Sequence, residues 1–536
     1  MQDNDQSHLG DGGLEPTRRE LRPLGESIET MFSQSLALEM QTQTRTQSQT
    51  QTVFDSAQES TIELASNPNA ASMEVNWAKP RDPENPMDWS PRRKWACVAL
   101  VSLITFNTSL STTIFSPSVP QLFRELDNDN EQLESLATSI FVIAFVFGPL
   151  VFAPLSEIYG RSMLLNGTNL LFEVFTIACA VSTTLPQILI FRFFQGLWGC
   201  VPTVLGGGII ADLVEPENRA KALSGWQLGP LLGPVIGPVA GGYIAEYLGW
   251  RWSFWIVSII EGVLIIASLI LLPETYGPVL LEKKAARLRK QTGNPNFRTK
   301  FDSEKPARKE ILKRAILRPL KLLFRSPIVI MLALTVSIVY GYLYLLFTTF
   351  TTVFEGQYGF STGSSGLAYL GLGVGFMVGL AFTGIISDRL TKSMTAKNGV
   401  LKPEYRLPPL IIGAFSVPIG LFWYGWTTEY RVHWIVPIIG TSFVGFGVLS
   451  VYMPVQAYLI DAFTTYAASA SATNTVIRSV FGAVIPLAGP SLYGKLGLGW
   501  GNSLLAFIAL ATVPVPFLLI KYGERIRTSP RFRLDL

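Results

Sequence analysis

Charge is what this chain has least of. Asp, Glu, Lys and Arg make up 15% of its 536 residues, where a soluble protein carries about 25%. So little charge cannot coat a soluble surface of this size, and 48% hydrophobic residues exclude a disordered or fibrous chain. Cysteine and histidine are also scarce. Cys97, Cys179 and Cys200 sit inside apolar stretches, and His8 and His433 stand apart. Neither a disulfide framework nor a zinc site has the spacing it needs. An integral-membrane enzyme would need a nucleophile, a metal cluster or paired acids. With so little material for these, no enzyme, catalytic residue, metal or cofactor is expected. A net charge of +4 gives no case for a nucleic-acid partner. A basic start followed by an apolar run is lacking too, so no cleaved signal peptide is expected. Alternating apolar and polar segments, the mark of a membrane β-barrel, are missing.

What is present is a dozen continuous apolar runs, placed near 95–115, 133–154, 163–183, 187–212, 220–244, 252–272, 327–350, 365–387, 408–426, 433–458, 467–490 and 502–521. Each is close to the roughly 20 residues that cross a bilayer as a helix. An all-α integral membrane protein of twelve spans is expected. Residues 1–85 are polar, with the Gln/Thr tract Met40–Gln47 at their centre, and read as a disordered cytoplasmic tail, passive or regulatory. The segment 274–326 holds fifteen Lys/Arg against five Asp/Glu. Arg92, Arg93, Lys94, Arg161, Arg219 and Lys221 lie on the same side, whereas the other side has only Arg124, Arg251, Arg431 and Lys495. Basic loops stay in the cytoplasm, so both chain ends are expected there. The segment divides the chain into helical bundles at 86–273 and 327–522, followed by a tail at 523–536. It reads as a solvated linker or a lipid-touching one.

The halves resemble each other. Ser156-Glu157 closes span 2 and Ser387-Asp388-Arg389 closes span 8; Leu248-Gly249-Trp250 precedes span 6 and Leu498-Gly499-Trp500 precedes span 12. Such duplication builds many secondary transporters, with the substrate between the halves. At the corner after span 2, Glu157, Gly160 and Arg161 meet in a tight turn. With Asp388 and Arg389 they read as a cytoplasmic gate, or as ordinary charged loops. Span 4 places Arg192, Gln195, Gly196 and Gly199 on one helical face. A buried arginine is costly unless it faces a partner or cavity; near a span end it can instead snorkel. Span 5 carries Gly229-Pro230, Gly233-Pro234, Gly237-Pro238 and Gly241-Gly242. Glycine at every fourth position lets a neighbouring helix approach closely.

The corner Pro154–Arg161, its copy Gly384–Arg389, the Arg192-x-x-Gln195-Gly196 pattern and the span-5 run together resemble the major facilitator superfamily. The stretches Asn85–Ser90, Gly249–Trp255 and Pro273–Tyr276 resemble its fungal twelve-span drug:proton antiporters. The resemblance covers about residues 85–527. It implies two pseudo-symmetric six-helix bundles, a proton-coupling role for Arg192, and export, since the span-5 run is similar to the family's antiporter motif. The usual aspartate of the corner is here Glu157. The acid that several relatives carry in span 1 is absent.

Glu173 in span 3 and Glu261 in span 6 are the proton-site candidates; each also reads as a carboxylate hydrogen-bonded within helix packing. Asn107, Gln195, Trp226, Tyr340, Tyr344, Tyr452, Gln456, Asn474 and Arg478 are expected to line a substrate cavity. Asn107-Thr108-Ser109 and Asn166-Gly167-Thr168 match the glycosylation pattern but lie within spans, and are discounted. The expectation is a monomeric plasma-membrane or vacuolar exporter of a small organic compound, with protons and lipid as its other partners. A polyamine or other specific-metabolite transporter of the same fold is the alternative, and a transporter-like receptor a third reading.

Overall fold

The computed structural model describes residues 73–78, 80–300, 308–399, 402–463 and 467–528. The Gln/Thr tract, His8 and the last residues of the C-terminal tail lie outside them. Glu74–Ala285 and Arg298–Leu536 form one compact unit that contains every span.

The unit is helical throughout its apolar parts. Spans 1 and 3–10 are Pro91–Glu125, Arg161–Ala180, Leu185–Leu213, Glu217–Leu248, Arg251–Leu271, Pro327–Tyr358, Thr362–Asn398, Pro408–Glu429 and Ile435–Ala462. Span 2 is a pair of helices, Glu131–Val146 and Gly148–Tyr159, bent by 44° at the break before Gly148-Pro149. The last helical stretch, Ala467–Thr528, has 62 residues. At 1.5 Å per residue it would reach about 93 Å, three times the hydrocarbon core. It breaks at Gly497, where φ is 71° and ψ 176°, giving spans 11 (467–496) and 12 (498–528). By length and composition ten helical stretches, or eleven with the bent pair taken as one span, can cross a bilayer among the described residues, and division of the last stretch at Gly497 is consistent with twelve crossings.

Local chemistry sets the ends. Asn130 accepts from the backbone N–H of Gln132 and Leu133 to start span 2. Proline opens spans 1, 7 and 9, where its missing N–H costs nothing. Gly359 and Gly399 close spans 7 and 8 in the left-handed conformation. Most helices overrun the apolar runs, because backbone hydrogen bonding continues past the point where hydropathy falls. The basic segment expected as a linker carries two helices, Gly277–Thr292 and Arg308–Arg325. Its Leu, Lys, Arg and Ala are strong helix formers, so polarity alone does not make it a loop.

Within the first six spans, Cys97, Val101, Leu165, Leu205 and Ile209 build one core, and Phe115, Trp250 and Phe254 another. The core of the last six gathers Leu332, Phe347, Phe350, Tyr369, Leu410, Val444 and Tyr458. Span 6 leaves Ile259, Val263, Ile266, Leu269 and Ile270 exposed, a face suited to lipid tails.

The segment before span 1 is ordered further upstream than its composition suggests. Asp82 is buried and accepts from Ala78 N, Glu84 N and Lys284 Nζ, the last at 2.7 Å. Burial pushes the Asp82 carboxyl up, but the Lys284 ammonium and the two backbone donors outweigh it and hold the group below its ordinary value. The stabilisation is present above the unfolded carboxylate pKa of about 3.9 and is lost as pH falls through the lower folded value. The protection of amides in residues 80–88, taken relative to the intrinsic exchange rate at each pH, should hold at pH 5–7 and fall below about pH 4. Lys284→Ala should lower it already at pH 7; unchanged protection in that variant would remove the tether.

Candidate functional site

Three groups of side chains were expected to carry function, and the fold separates them. The charged corner comes first. Gly160 turns at φ +101°, and an added Cβ would collide with the Glu274 carboxylate. That carboxylate accepts from the backbone N–H of Arg161, Thr275 and Tyr276. The Arg161 side chain reaches Asp212 at the end of span 4, at 2.5 Å, and lies over the Tyr276 ring. In the second half Arg406 bridges Asp388, at 2.9 Å, and Asp461 at the end of span 10, at 3.1 Å. Glu157 and Arg389 are exposed and form no ion pair among the described residues. The pairs made by Arg161 and Arg406 each stay within one half rather than crossing between halves. Asp212 and Arg406 escaped the sequence reading, and Glu274 entered it only within the Pro273–Tyr276 stretch, without a place at this corner. One signal was available: Asp212 and Asp461 occupy the same place at the ends of spans 4 and 10.

The second group fills the interior of the first half. Arg192 is fully buried; Nη1 donates to Ser111 O at 3.0 Å and Gln195 Oε1 at 3.1 Å, and Nη2 to Thr112 O at 3.4 Å. Its guanidinium lies over Phe141 at 4.9 Å, with Phe115 and Phe254 close by. No carboxylate pairs with it among the described residues. Gln195 in turn donates to Thr176 and Ser111. Glu261 is fully buried and accepts from Asn107 Nδ2 at 2.8 Å, leaving Oε1 without a partner. Glu173 accepts from Ser258 Oγ at 2.5 Å and leaves Oε2 without a partner. Each carboxylate thus keeps one oxygen unsatisfied in a region where a lost hydrogen bond is costly.

The third group is a cavity of about 540 Å³ between the two sets of spans. Trp226, Tyr340, Tyr344, Tyr452, Gln456 and Arg478 line it. Asn107, Gln195 and Asn474 do not. Asn107 is held by Glu261 and the Val257 carbonyl, Gln195 by the Arg192 cluster, and Asn474 is turned into helix packing at 1% exposure. Helical spacing put them on polar faces, but the rotation of spans 1, 4 and 11 leaves these three positions on the bundle side of those faces, while Thr112, Ser471 and Arg478 reach the cavity. Gln227, Ser471 and Thr475 line the cavity instead.

The lining runs to Gln227, Ile460 and Ala468, near the ends of spans that carry the basic loops. At the opposite end the halves touch. Glu246 of span 5 accepts from Ser361 Oγ at 2.8 Å and Gly363 N at 2.7 Å at the start of span 8. Arg124 lies 4.0 Å from Glu355. Span 5 makes this closure possible. A Cβ on Gly229 would stand 3.1 Å from Phe106 N, one on Gly233 2.7 Å from Leu110 N, and one on Gly241 would strike the Ile114 carbonyl, all in span 1. One on Gly242 would meet the backbone of Thr362 and Gly363 in span 8. Pro230, Pro234 and Pro238 sit inside the same unbroken helix.

Comparison with known proteins matches residues 101–486 to the Major Facilitator Superfamily. The MFS-type transporter penM of Penicillium rubens is 51% identical over 88% of this chain and 92% of its own. The efflux pump radE of Floropilus chiversii is 47% identical over 86% of each chain. The MFS transporter cpaT of Aspergillus oryzae is 46% identical over 89% of this chain and 96% of its own. Among solved structures, the xylose transporter XylE from E. coli, in a partially occluded inward-open conformation, aligns with a TM-score of 0.59 at 18% identity. That alignment covers 80% of this chain and 98% of XylE.

Proposed function

This chain belongs to the major facilitator superfamily and is a multi-pass membrane transporter; from that membership we propose that it exports a small organic compound by proton antiport. The observation that carries the reading is the cavity, whose lining reaches Ile460 and Ala468 toward the basic side while spans 5 and 8 meet at the other. With the basic loops in the cytoplasm, this is a cargo-accepting state. Release on the far side requires Glu246 to leave the start of span 8 and Arg124 to leave Glu355, as the halves 86–273 and 327–522 rock about the cavity. The efflux pump radE supports the outward direction. The antiporter-like seam of Gly229–Gly242 supplies the sliding contact.

Glu261 and Glu173 are the proton carriers in this scheme. Each has one partnered and one unpartnered oxygen, the arrangement a carboxyl group needs to take up a proton without losing its anchor. Arg192, held by carbonyls rather than by an acid, fixes positive charge in the same half. Glu157, Arg161, Asp388 and Arg389 form the cytoplasmic gate, with Asp212, Glu274 and Arg406 holding its arms. The protein works as a monomer in the plasma membrane.

The test is proteoliposomes loaded with a fluorescent organic dye, with a pH gradient imposed. Wild-type protein should move dye against its gradient, opposite to the protons. Glu261→Gln, Glu173→Gln and Arg192→Ala should each lose at least about tenfold of the gradient-driven rate. Dye-for-dye exchange should persist in the two glutamine variants. Dye movement in the same direction as protons would overturn antiport; full driven export by all three variants would overturn the coupling assignment.

A further inference from the structure

The cavity's lining carries one formal charge. Its walls are apolar and aromatic, its polar groups are hydroxyls and amides, and it has no Asp or Glu; the exception is Arg478 of span 11. We propose that this cavity selects a planar organic anion, a carboxylate or an ionised enol or phenol, whose negative group binds Arg478 while its ring system lies among Tyr340, Tyr344 and Tyr452. The proposal rests on the transport reading and names its cargo class.

Two arginines deep within the spans, Arg192 and Arg478, make the contrast. Arg192 is sealed in a bundle, and two backbone carbonyls and a glutamine oxygen accept from it. That set anchors Nη1 and Nη2 inside the bundle and leaves only Nε without a partner. Arg478 has no such set. Its Nε, like that of Arg192, is without a partner, its guanidinium hydrogen-bonds the Tyr452 side chain and lies over the rings of Tyr340 at 4.4 Å and Tyr452 at 5.1 Å, and no carboxylate pairs with it among the described residues. The basic-side carboxylates of the second half, Asp388 and Asp461, are taken by Arg406.

Ring faces recover only part of a desolvated cation's cost. Among the described residues no carboxylate offsets the Arg478 charge in the cavity wall, and a bidentate anion is a ligand that would, because the guanidinium fork matches a carboxylate's two oxygens. The same stacking presents the fork. The Tyr340 and Tyr344 rings lie 5.0 Å apart, and Gly482 leaves room behind them: a Cβ there would approach Tyr340 to 3.0 Å. Gln456, which donates to Ser471 at 2.8 Å, adds a neutral amide beside the charge. A cavity of about 540 Å³ suits a drug-sized molecule. A polyamine would enter a site with no counter-charge and one like charge, so the structure argues against the polycation alternative.

Three fluorescent probes with one ring system separate the terms: 9-anthracenecarboxylate, 9-anthracenemethanol and 9-(aminomethyl)anthracene, anionic, neutral and cationic at pH 7. Binding is read by anisotropy with the purified full chain in nanodiscs. The anion should bind at least tenfold tighter than the alcohol, and the ammonium weakest. Arg478→Gln should cost the anion at least tenfold and leave the alcohol within twofold; Arg478→Lys should recover part of the loss. Equal binding of the three probes by the wild-type chain, tightest binding of the ammonium, or no binding of any at millimolar concentration would overturn the proposal without recourse to a variant. So would undiminished anion binding by folded Arg478→Gln. Flux reports separately: an anion that binds without being moved in proteoliposomes sinks the transport reading and keeps the clamp, whereas export of the ammonium probe keeps transport and sinks the clamp.

Discussion

Gly241→Val should abolish transport and lower the thermal stability of the solubilised protein, whereas Gly225→Ala should do neither. A side chain at position 241 grows into the Ile114 carbonyl of span 1, backbone that cannot rotate away; at position 225 nothing lies within 4 Å of the added carbon. Lipid tails are as apolar as the helix faces, so spans 1 and 5 are held by close contact rather than by water exclusion, and a lost close contact is lost outright. Overpacking of this kind costs about 1–3 kcal/mol. The neighbouring position separates folding from gating. Gly242 faces Thr362 and Gly363 of span 8, so Gly242→Val should leave the first bundle intact and prise open the end opposite the basic loops. With Cys97, Cys179 and Cys200 replaced by alanine, since Cys200 lines the same cavity, a single cysteine introduced at Thr112, in the cavity wall, should then gain labelling by an impermeant maleimide from that side. Normal transport by Gly241→Val, or unchanged labelling in Gly242→Val, would show that the seam does not control the contact.

The second large effect is expected at Arg161. Its alanine variant leaves Asp212, about a fifth exposed, with its main partner gone. Hydrogen bonds to charged groups are worth about 1.5–3 kcal/mol, and the group left behind carries the larger share of the loss. Arg161→Ala should therefore lower the melting temperature by several degrees, and Arg161→Ala with Asp212→Asn should recover most of it. Arg389→Ala and Glu157→Gln, at exposed positions without ion pairs among the described residues, should shift it little. A double variant no more stable than Arg161→Ala alone would show that the pair is incidental. The distinction concerns the state in hand; driven dye export by the same four variants reports whether Glu157 and Arg389 act when the basic side closes.

Several features were readable along the chain because they depend on neighbours in sequence. The spacing of Gly229, Gly233, Gly237 and Gly241 already requires one close-packed helix face, whichever helix meets it. The turn at Gly160 and the basic bias of 274–326 are equally local. Harder to read were choices among equals. Glu157 and Asp212 were both available to Arg161; the place where span 4 ends relative to span 3 decides for Asp212, and Glu274 enters from beyond span 6. Asn107, Gln195 and Asn474 have the same polar character as Gln456 and Ser471, yet face bundle interiors.

The sequence by itself determined twelve lipid-length helices, the basic side, the duplicated corners and the glycine seam. Each follows from backbone groups that must bond within their own helix and from hydropathy that sums along a few turns. Only the tertiary structure decided which polar side chains meet water, cargo or one another, and at which end the halves touch. A rotation of some tens of degrees about a helix axis moves a residue from cavity wall to bundle core at almost no change in local energy, so that angle is set by the neighbouring helices and not by the span's own residues.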